Sequence, residues 1–459
     1  MSALFENGMS FLSRNVFGPL YQLRQGVNPY QYAAEVRAFS AWSQEEMKRH
    51  QLARLQDVVA RAVRDVPYYR DIAGQLGLDA RQGISFDEYS RFPLLTKDII
   101  EEQKDRLVSE KGDRTRCRRG ASGGSTRAPI SYLLDVDAWT RRESATLAFN
   151  EWFGFRRGDR AAYLWGASQD FFAPSWKRSL YSAIIGRSRI FSSLALDEQS
   201  LETICRELKT HPPKMLQAYP SAIELLAAYI IETGKTVDVG CVTCTAEPFT
   251  EAQKELVRRA FGCEVFEWYG ARECGRIATE CSRHNGMHIN AYGLYVEVAS
   301  KGDSAYGEVL VTDLFNHIMP ILRYSLNDYA ALDESPCPCG CELPRISQIA
   351  GRASQTFFLK DGRKIPHVLA TRIVPDNRYF LQQQIVQTDF DVFVVNFVPG
   401  KEFGPESHAW FKKQLDAYLG QDNHIEFHMV DSIPREPSGK IFYTKRTFDP
   451  SQPRRGSHD

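Results

Sequence analysis

The stretch Glu264-Val265-Phe266-Glu267-Trp268-Tyr269-Gly270-Ala271-Arg272-Glu273 decides the fold. Glu264 to Trp268 is a short, largely apolar run of strand character, and the residues after it turn through glycine to a carboxylate. The helical stretch Glu251 to Ala260 precedes it. The same alternation occurs upstream, in the run Ala161 to Leu164 and the helical stretch Ala222 to Ile231. Short apolar runs alternating with helices predict an α/β domain with parallel strands. Polar groups just past the C-terminal end of such a strand lie where open α/β sheets bind ligands. That position favours Glu273 as a site residue over the plainer reading of a surface carboxylate at a strand end.

Outward from this stretch, Leu294 to Val298 and Gly307 to Thr312 read as strands of a further sheet. Around Gly351-Arg352 the character changes. A strand-rich run, Asp389 to Val398, is followed by a helix from about Ser407 to Leu419 and a last strand, Ile425 to Val430. The expected division is a large α/β domain over 1–351, with mixed and parallel sheets flanked by helices. A small mobile α+β domain over 352–449 and a disordered polar tail over 450–459 follow it. A chain of 459 residues is too long for one core. Near the N-terminus, Ser43 and Glu46 have capping-box spacing before an amphipathic helix that ends at Pro67. Leu94-Leu95-Thr96-Lys97 opens another capped helix.

Acidic and basic residues balance at 57 each, so no global field draws nucleic acid. No apolar run approaches the ~20 residues of a membrane span. Met1 to Arg24 carries Glu6 and Arg14 within its apolar run, which argues against an export signal; a helix packed on the body of the protein is expected there. Cytoplasmic location follows as the expectation. Ten cysteines without such a signal argue against a disulfide framework. Those at 117, 205, 241, 244, 263 and 274 read as buried thiols.

Four segments in fixed order carry the chemistry: Ser122-Gly123-Gly124-Ser125-Thr126-Arg127-Ala128-Pro129, Tyr269-Gly270-Ala271-Arg272-Glu273, Arg323-Tyr324-Ser325-Leu326-Asn327-Asp328 and Ser438-Gly439-Lys440. The first is a small, hydroxylated loop whose backbone can approach phosphates, without the lysine of a Walker loop. The set resembles the adenylate-forming (acyl- and aryl-CoA synthetase) superfamily, and within it the phenylacetate–CoA ligase and CapK-like branch. The resemblance covers nearly the whole chain, including Pro67-Tyr68-Tyr69-Arg70.

The resemblance implies a role for each segment. Ser122, Gly123, Gly124, Ser125 and Thr126 would surround ATP phosphates. Ala246 and Glu247, in Thr245-Ala246-Glu247-Pro248, would lie over the adenine, with Trp268, Tyr269 and Gly270 beside it. Glu273 would reach Mg²⁺, a hard ion that takes one or two carboxylates. Asp328 and Arg352 would meet the ribose. Lys440, a compact charge on a flexible stem, would bridge the substrate carboxylate and the α-phosphate. Arg127 and Asn327 stand where the family has glycine, and Ser354 and Gln355 replace acidic residues after the hinge.

The knuckle Cys337-Pro338-Cys339-Gly340-Cys341 and the upstream pair Cys281 and His288 fit tetrahedral Zn²⁺. The expected ligands are Cys281, His288, Cys337 and Cys339, with His284 and Cys341 as competitors, in a structural site. The activity implied is two half-reactions: a carboxylate and ATP give an acyl-adenylate and pyrophosphate, then coenzyme A displaces AMP. The acid would be aromatic or otherwise apolar, with Trp165, Tyr219 and Trp268 as pocket walls. The chain itself would act as a homodimer. The alternatives are transfer to an amine or hydroxyl acceptor in natural-product or polysaccharide assembly, and a zinc-containing binding protein that has lost catalysis.

Overall fold

The computed structural model describes residues 3–17, 26–79, 83–122, 130–166, 187–194, 196–300, 306–352, 356–365, 379–434 and 441–448. The chain forms two compact units. One runs to Leu326 and resumes over Ala331–Gln348; the other holds Asn327–Ala330 and Ile349–Glu436.

The first unit opens with helices whose ends are set locally. Ser43 Oγ accepts from the Glu46 N–H while the Glu46 carboxylate accepts from the Ser43 N–H, so the helix Gln44–Asp65 starts on a full capping box. Such a cap contributes about 1 kcal/mol. Leu55, Val58, Val59 and Ala62 form the buried stripe of that helix. The N-terminal helix Ala3–Leu12 touches the body through polar groups, Ser10 Oγ donating to Asp159 Oδ1 at 2.9 Å. Phe11, Leu12 and Val16 face outward, contrary to the expected packing of its apolar side.

Strands β1 (Cys117–Ala121) and β2 (Ser131–Asp135) make an antiparallel hairpin. The strands β3 (Ala161–Trp165), β4 (Ser188–Ser192), β5 (Met215–Ala218), β6 (Cys241–Cys244) and β7 (Glu264–Ala271) are parallel, in the order β4-β3-β5-β6-β7. The helices Glu198–Thr210, Pro220–Thr233 and Glu251–Phe261 lie between them in sequence and bury Leu208, Leu226 and Val257 with Leu164, Leu216 and Val242 in one core. Strand β6 is buried throughout, the signature of a strand covered on both faces.

At β7 the sheet changes character. Strand β8 (Gly275–Glu280) pairs with it antiparallel, with a bulge between Tyr269 and Gly270. The order then continues through β9 (Met287–Ile289), with β10 (Leu294–Ala299), β11 (Gly307–Asp313), β12 (Tyr324–Asp333) and β13 (Arg345–Arg352) completing one sheet, β10-β11-β12-β13-β9-β8-β7-β6-β5-β3-β4. The two runs expected to form a separate sheet, β10 and β11, therefore extend the main one. The fold class is α/β with a mixed sheet.

The second unit has the small pair β14 (Phe357–Phe358) and β15 (Lys364–Ile365), then β16 (Phe380–Asp389), β17 (Val392–Pro399), β18 (His424–Met429) and β19 (Thr444–Arg446). Its four-stranded sheet has the order β18-β17-β16-β19. The run Asp389 to Val398 is thus a turn entering β17, and β16 precedes it unread. Phe393, Val395 and Phe397 alternate inward against Phe411 and Leu415 of the helix Pro405–Leu419. Among the described residues no helix is long and apolar enough to cross a membrane.

Candidate active site

Glu273 occupies the tight turn between β7 and β8, with its side chain buried. Tyr324 donates its hydroxyl to Oε1 at 3.0 Å, and the Lys97 ammonium lies 3.8 Å from the same oxygen. Oε2 takes no hydrogen bond among the described residues. A carboxylate oxygen left open in this way is suited to a hard divalent cation.

Each partner is delivered by a different element. Leu95 bridges to β12, its N–H donating to Arg323 O at 3.1 Å and its carbonyl accepting from Ser325 at 2.9 Å. That bridge places the helix Lys97–Gln103, capped by Thr96, so that Lys97 reaches Glu273. Arg142 holds the backbone of the turn, Nη2 donating to Glu273 O at 2.5 Å and to Asp313 Oδ2 at 2.6 Å. Burial works against the charge on Arg142, and the Asp313 carboxylate together with neighbouring groups outweighs it, so the guanidinium is held above its ordinary value.

The β1–β2 hairpin is tied to the same turn, because Tyr132 donates its hydroxyl to Arg272 O at 2.6 Å. Gly120 makes room for that ring; a Cβ there would meet Tyr132 Cζ at 2.2 Å. Ser122 differs from expectation. It is fully buried, its N–H donates to Ile130 O and its Oγ accepts from Ile130 N, both at 2.9 Å. It staples the foot of the loop and is withdrawn from the phosphate set.

The Glu247 carboxylate accepts from Ser221 N at 2.9 Å and Ser221 Oγ at 3.1 Å, at the N-terminus of the helix Pro220–Thr233. A carboxylate there satisfies an orphan N–H and the helix dipole. Its neighbour Ala246 has φ 75°. That left-handed conformation costs a non-glycine residue about 1–3 kcal/mol and is held only where the surroundings impose it, typically at functional sites. Tyr219 is 2% exposed inside the core of the parallel half, with its ring 4.3 Å from that of half-buried Trp165.

On β12, Asn327 takes φ 56°, the conformation glycine usually supplies, and Asp328 follows it, half-buried. Arg352 ends β13 after Gly351. The Arg352 side chain and residues Gly123, Gly124, Ser125, Thr126 and Lys440, with the tail from Asp449, lie outside the described residues.

Cys281, His288, Cys337 and Cys339 come together with their ligand atoms all within 4.8 Å of one another. Cys281 Sγ and Cys337 Sγ are 3.8 Å apart, and Cys339 Sγ is 3.3 Å from His288 Nε2. Tetrahedral zinc with bonds of ~2.3 Å to sulfur and ~2.0 Å to nitrogen requires edges of roughly 3.8 and 3.5 Å. The observed spacings fit. His288 Nδ1 lies 3.1 Å from Leu343 O, an arrangement that puts the proton on Nδ1 and leaves Nε2 for a metal. The Cys341 N–H donates to Cys339 Sγ at 3.4 Å, so Cys341 supports the cluster through its backbone. His284 is engaged elsewhere, 3.2 Å from both Glu264 and Glu280.

Residues 357–447 match the CapK C-terminal domain family. Protein CapK of Staphylococcus aureus is 23% identical over 81% of this chain and 83% of its own length. The phenylacetate–coenzyme A ligase of Aromatoleum evansii is 23% identical over 80% of this chain and 84% of its own. The fold resembles that of 2-hydroxyisobutyryl-CoA ligase, with TM-score 0.72 at 19% identity, covering 89% of this chain and 91% of that one. In sequence the chain is similar to the CapK and phenylacetate–CoA ligase branch of adenylate-forming enzymes, at the identities given. In this chain, sequence reasoning missed Lys97, Tyr132, Arg142 and Asp313. None stands in a motif. Lys97 alone carried a local signal, the capped helix start at Thr96.

Proposed function

We propose that the protein activates a carboxylic acid with ATP and passes the acyl group to coenzyme A. A carboxylate oxygen attacks the α-phosphorus and pyrophosphate leaves; the thiol then attacks the acyl carbon and AMP leaves. The observation that carries this reading is Glu273, buried, clamped at Oε1 by Tyr324 and unengaged at Oε2, past the C-terminal end of β7. It would hold Mg²⁺, which supplies neutralisation of phosphate charge as the α-phosphorus is attacked. Tyr324 and Lys97 fix the carboxylate, while Arg142 and Tyr132 fix the backbone of its turn. Tyr269 with the turn at Ala246 would border the adenine, and Asp328 would accept from the ribose. Lys440 is the proposed cation for the transferring charge. Trp165 and Trp268 remain the proposed aromatic walls for the acid.

The Cys281, His288, Cys337 and Cys339 set is proposed to hold one structural zinc. Four protein ligands leave no open coordination position. The test of function is pyrophosphate release over a panel of acids, with CoA and small amines as acceptors. Release that no acid stimulates would overturn adenylation; acyl transfer only to amines would overturn the thioester.

Asp328→Ala is expected to weaken ATP binding by about 1.5–3 kcal/mol, roughly ten- to a hundredfold, because a charge-assisted bond to ribose is lost. Calorimetric titration with ATP checks it, and unchanged affinity at an unchanged melting temperature would remove Asp328 from the nucleotide site.

A further inference from the structure

Three residues beyond Glu273, Arg276 lies on β8 directly opposite Gly270. It is 6% exposed. Its guanidinium carbon stands 4.6 Å from the ring centre of Trp268 and 5.8 Å from that of Phe153. Nε and Nη1 are buried and bond to nothing among the described residues, and the same holds for Trp268 Nε1 and for Thr279 Oγ1 on the strand position paired with Trp268.

Other arginines with little exposure are built differently. Arg141, Arg142, Arg323 and Arg345 each hold a carboxylate, at 2.9, 2.6, 3.1 and 2.8 Å. For Arg276 no described carboxylate reaches ion-pair distance. Burial pushes its guanidinium down to about 10, with Tyr163 and Glu143 only partly offsetting the loss of hydration. An isolated buried charge is among the costliest groups a fold can keep, and a stacked ring cannot replace its hydrogen bonds. A fold that keeps one has either a ligand for it or a reason for strain. Gly270 bears on the same place: a Cβ there would stand 3.0 Å from the Trp268 ring and 2.5 Å from Gly275 O, so the strand opposite Arg276 carries no side chain.

We propose that Arg276 is the seat of a carboxylate of the acid substrate, with Trp268 stacked on the guanidinium as its wall. This rests on the adenylation reading and deepens it: the acid presents an anion to a dry, aromatic-walled arginine. The carboxylate is either the one that reacts or a second one on a diacid. Trp268 Nε1, on the ring stacked against the guanidinium, is a further buried polar atom without a described partner.

The experiment is a thermal-shift and tryptophan-fluorescence titration of the full chain, parent against R276M and R276K. The probes are phenylacetate as a monoacid and succinate and terephthalate as diacids. R276M should melt at or above the parent temperature, since it exchanges an unpaired buried charge for an apolar side chain. It should lose the acid-induced shifts, with apparent Kd raised at least about tenfold, while R276K retains part of them. A response to all the acids that needs Arg276 assigns it to the reacting carboxylate; a response confined to diacids assigns it to the second. R276M melting well below the parent, or binding acids as the parent does, overturns the proposal. ATP titrated into the same samples separates the two levels: a parent that binds no ATP overturns the adenylation reading, whereas ATP binding without any Arg276-dependent acid response overturns only the seat.

Discussion

Glu273→Gln is expected to lower adenylate formation by about 10²–10³-fold, the scale on which removal of one preorganised electrostatic partner acts. The substitution is nearly isosteric. The amide oxygen can still accept the Tyr324 hydroxyl now bonded at 3.0 Å, so the turn between β7 and β8 keeps its shape. Charge is what disappears, and with it the affinity of the position for a hard divalent cation. Lys97, 3.8 Å from Oε1 and partly exposed, loses a weak partner only, a pairing worth about 0–1 kcal/mol. The melting temperature should therefore change little while the Mg²⁺ concentration for half-maximal pyrophosphate release rises. Parent-like rates and an unchanged Mg²⁺ dependence in Glu273→Gln would remove the carboxylate from the reaction and leave it as a structural acid between Tyr324 and Lys97.

The second large effect belongs to the thiolate cluster. Purified protein is expected to carry about one zinc per chain, the stoichiometry of a single four-ligand site. Cys281→Ser and Cys337→Ser should each abolish most of it and lower the melting temperature by about 5 °C. That figure corresponds to roughly 3–5 kcal/mol at roughly 1–2 °C per kcal/mol for a unit of this size. The reason is topological. Cys281 directly follows β8, His288 lies on β9, and Cys337 and Cys339 lie between β12 and β13. A metal therefore cross-links segments more than fifty residues apart and ties down the far end of the strand that begins beside Glu273. Cys341→Ser should leave the zinc in place, because Cys341 meets Cys339 through its N–H. Elemental analysis of protein made without chelators or metal-affinity tags decides the matter; protein free of zinc with an unshifted melting temperature in the serine variants would reduce these residues to ordinary thiols.

What the sequence by itself determined was set by short spacings. The Ser43–Glu46 box and the Thr96 cap were legible because a cap spans three residues, and a hydroxyl there competes only with its own helix. The parallel half of the sheet was legible because strands buried on both faces read as apolar runs between helices. The four thiolate-cluster residues were legible because the knuckle is local and soft ligands are few. Asn327 in the left-handed region was legible because few other side chains tolerate it.

Tertiary structure alone decided which way each polar side chain turns. Glu247 and Glu273 are the same residue type in comparable motif positions, yet one caps the helix Pro220–Thr233 and the other keeps an oxygen unengaged. Ser122 was grouped with phosphates by composition and is spent on Ile130. The continuation of the main sheet through β10 and β11 was hidden because an edge strand's partner is chosen by distant packing. Arg142 meets Asp313 across 171 residues of chain, and Tyr132 meets Arg272 across 140. No window of sequence contains both ends of such a contact, so their energies enter only when the chain closes. The isolation of Arg276 is the extreme case, since a buried charge without a described carboxylate partner is a property of everything that surrounds it and of nothing in its own sequence neighbourhood.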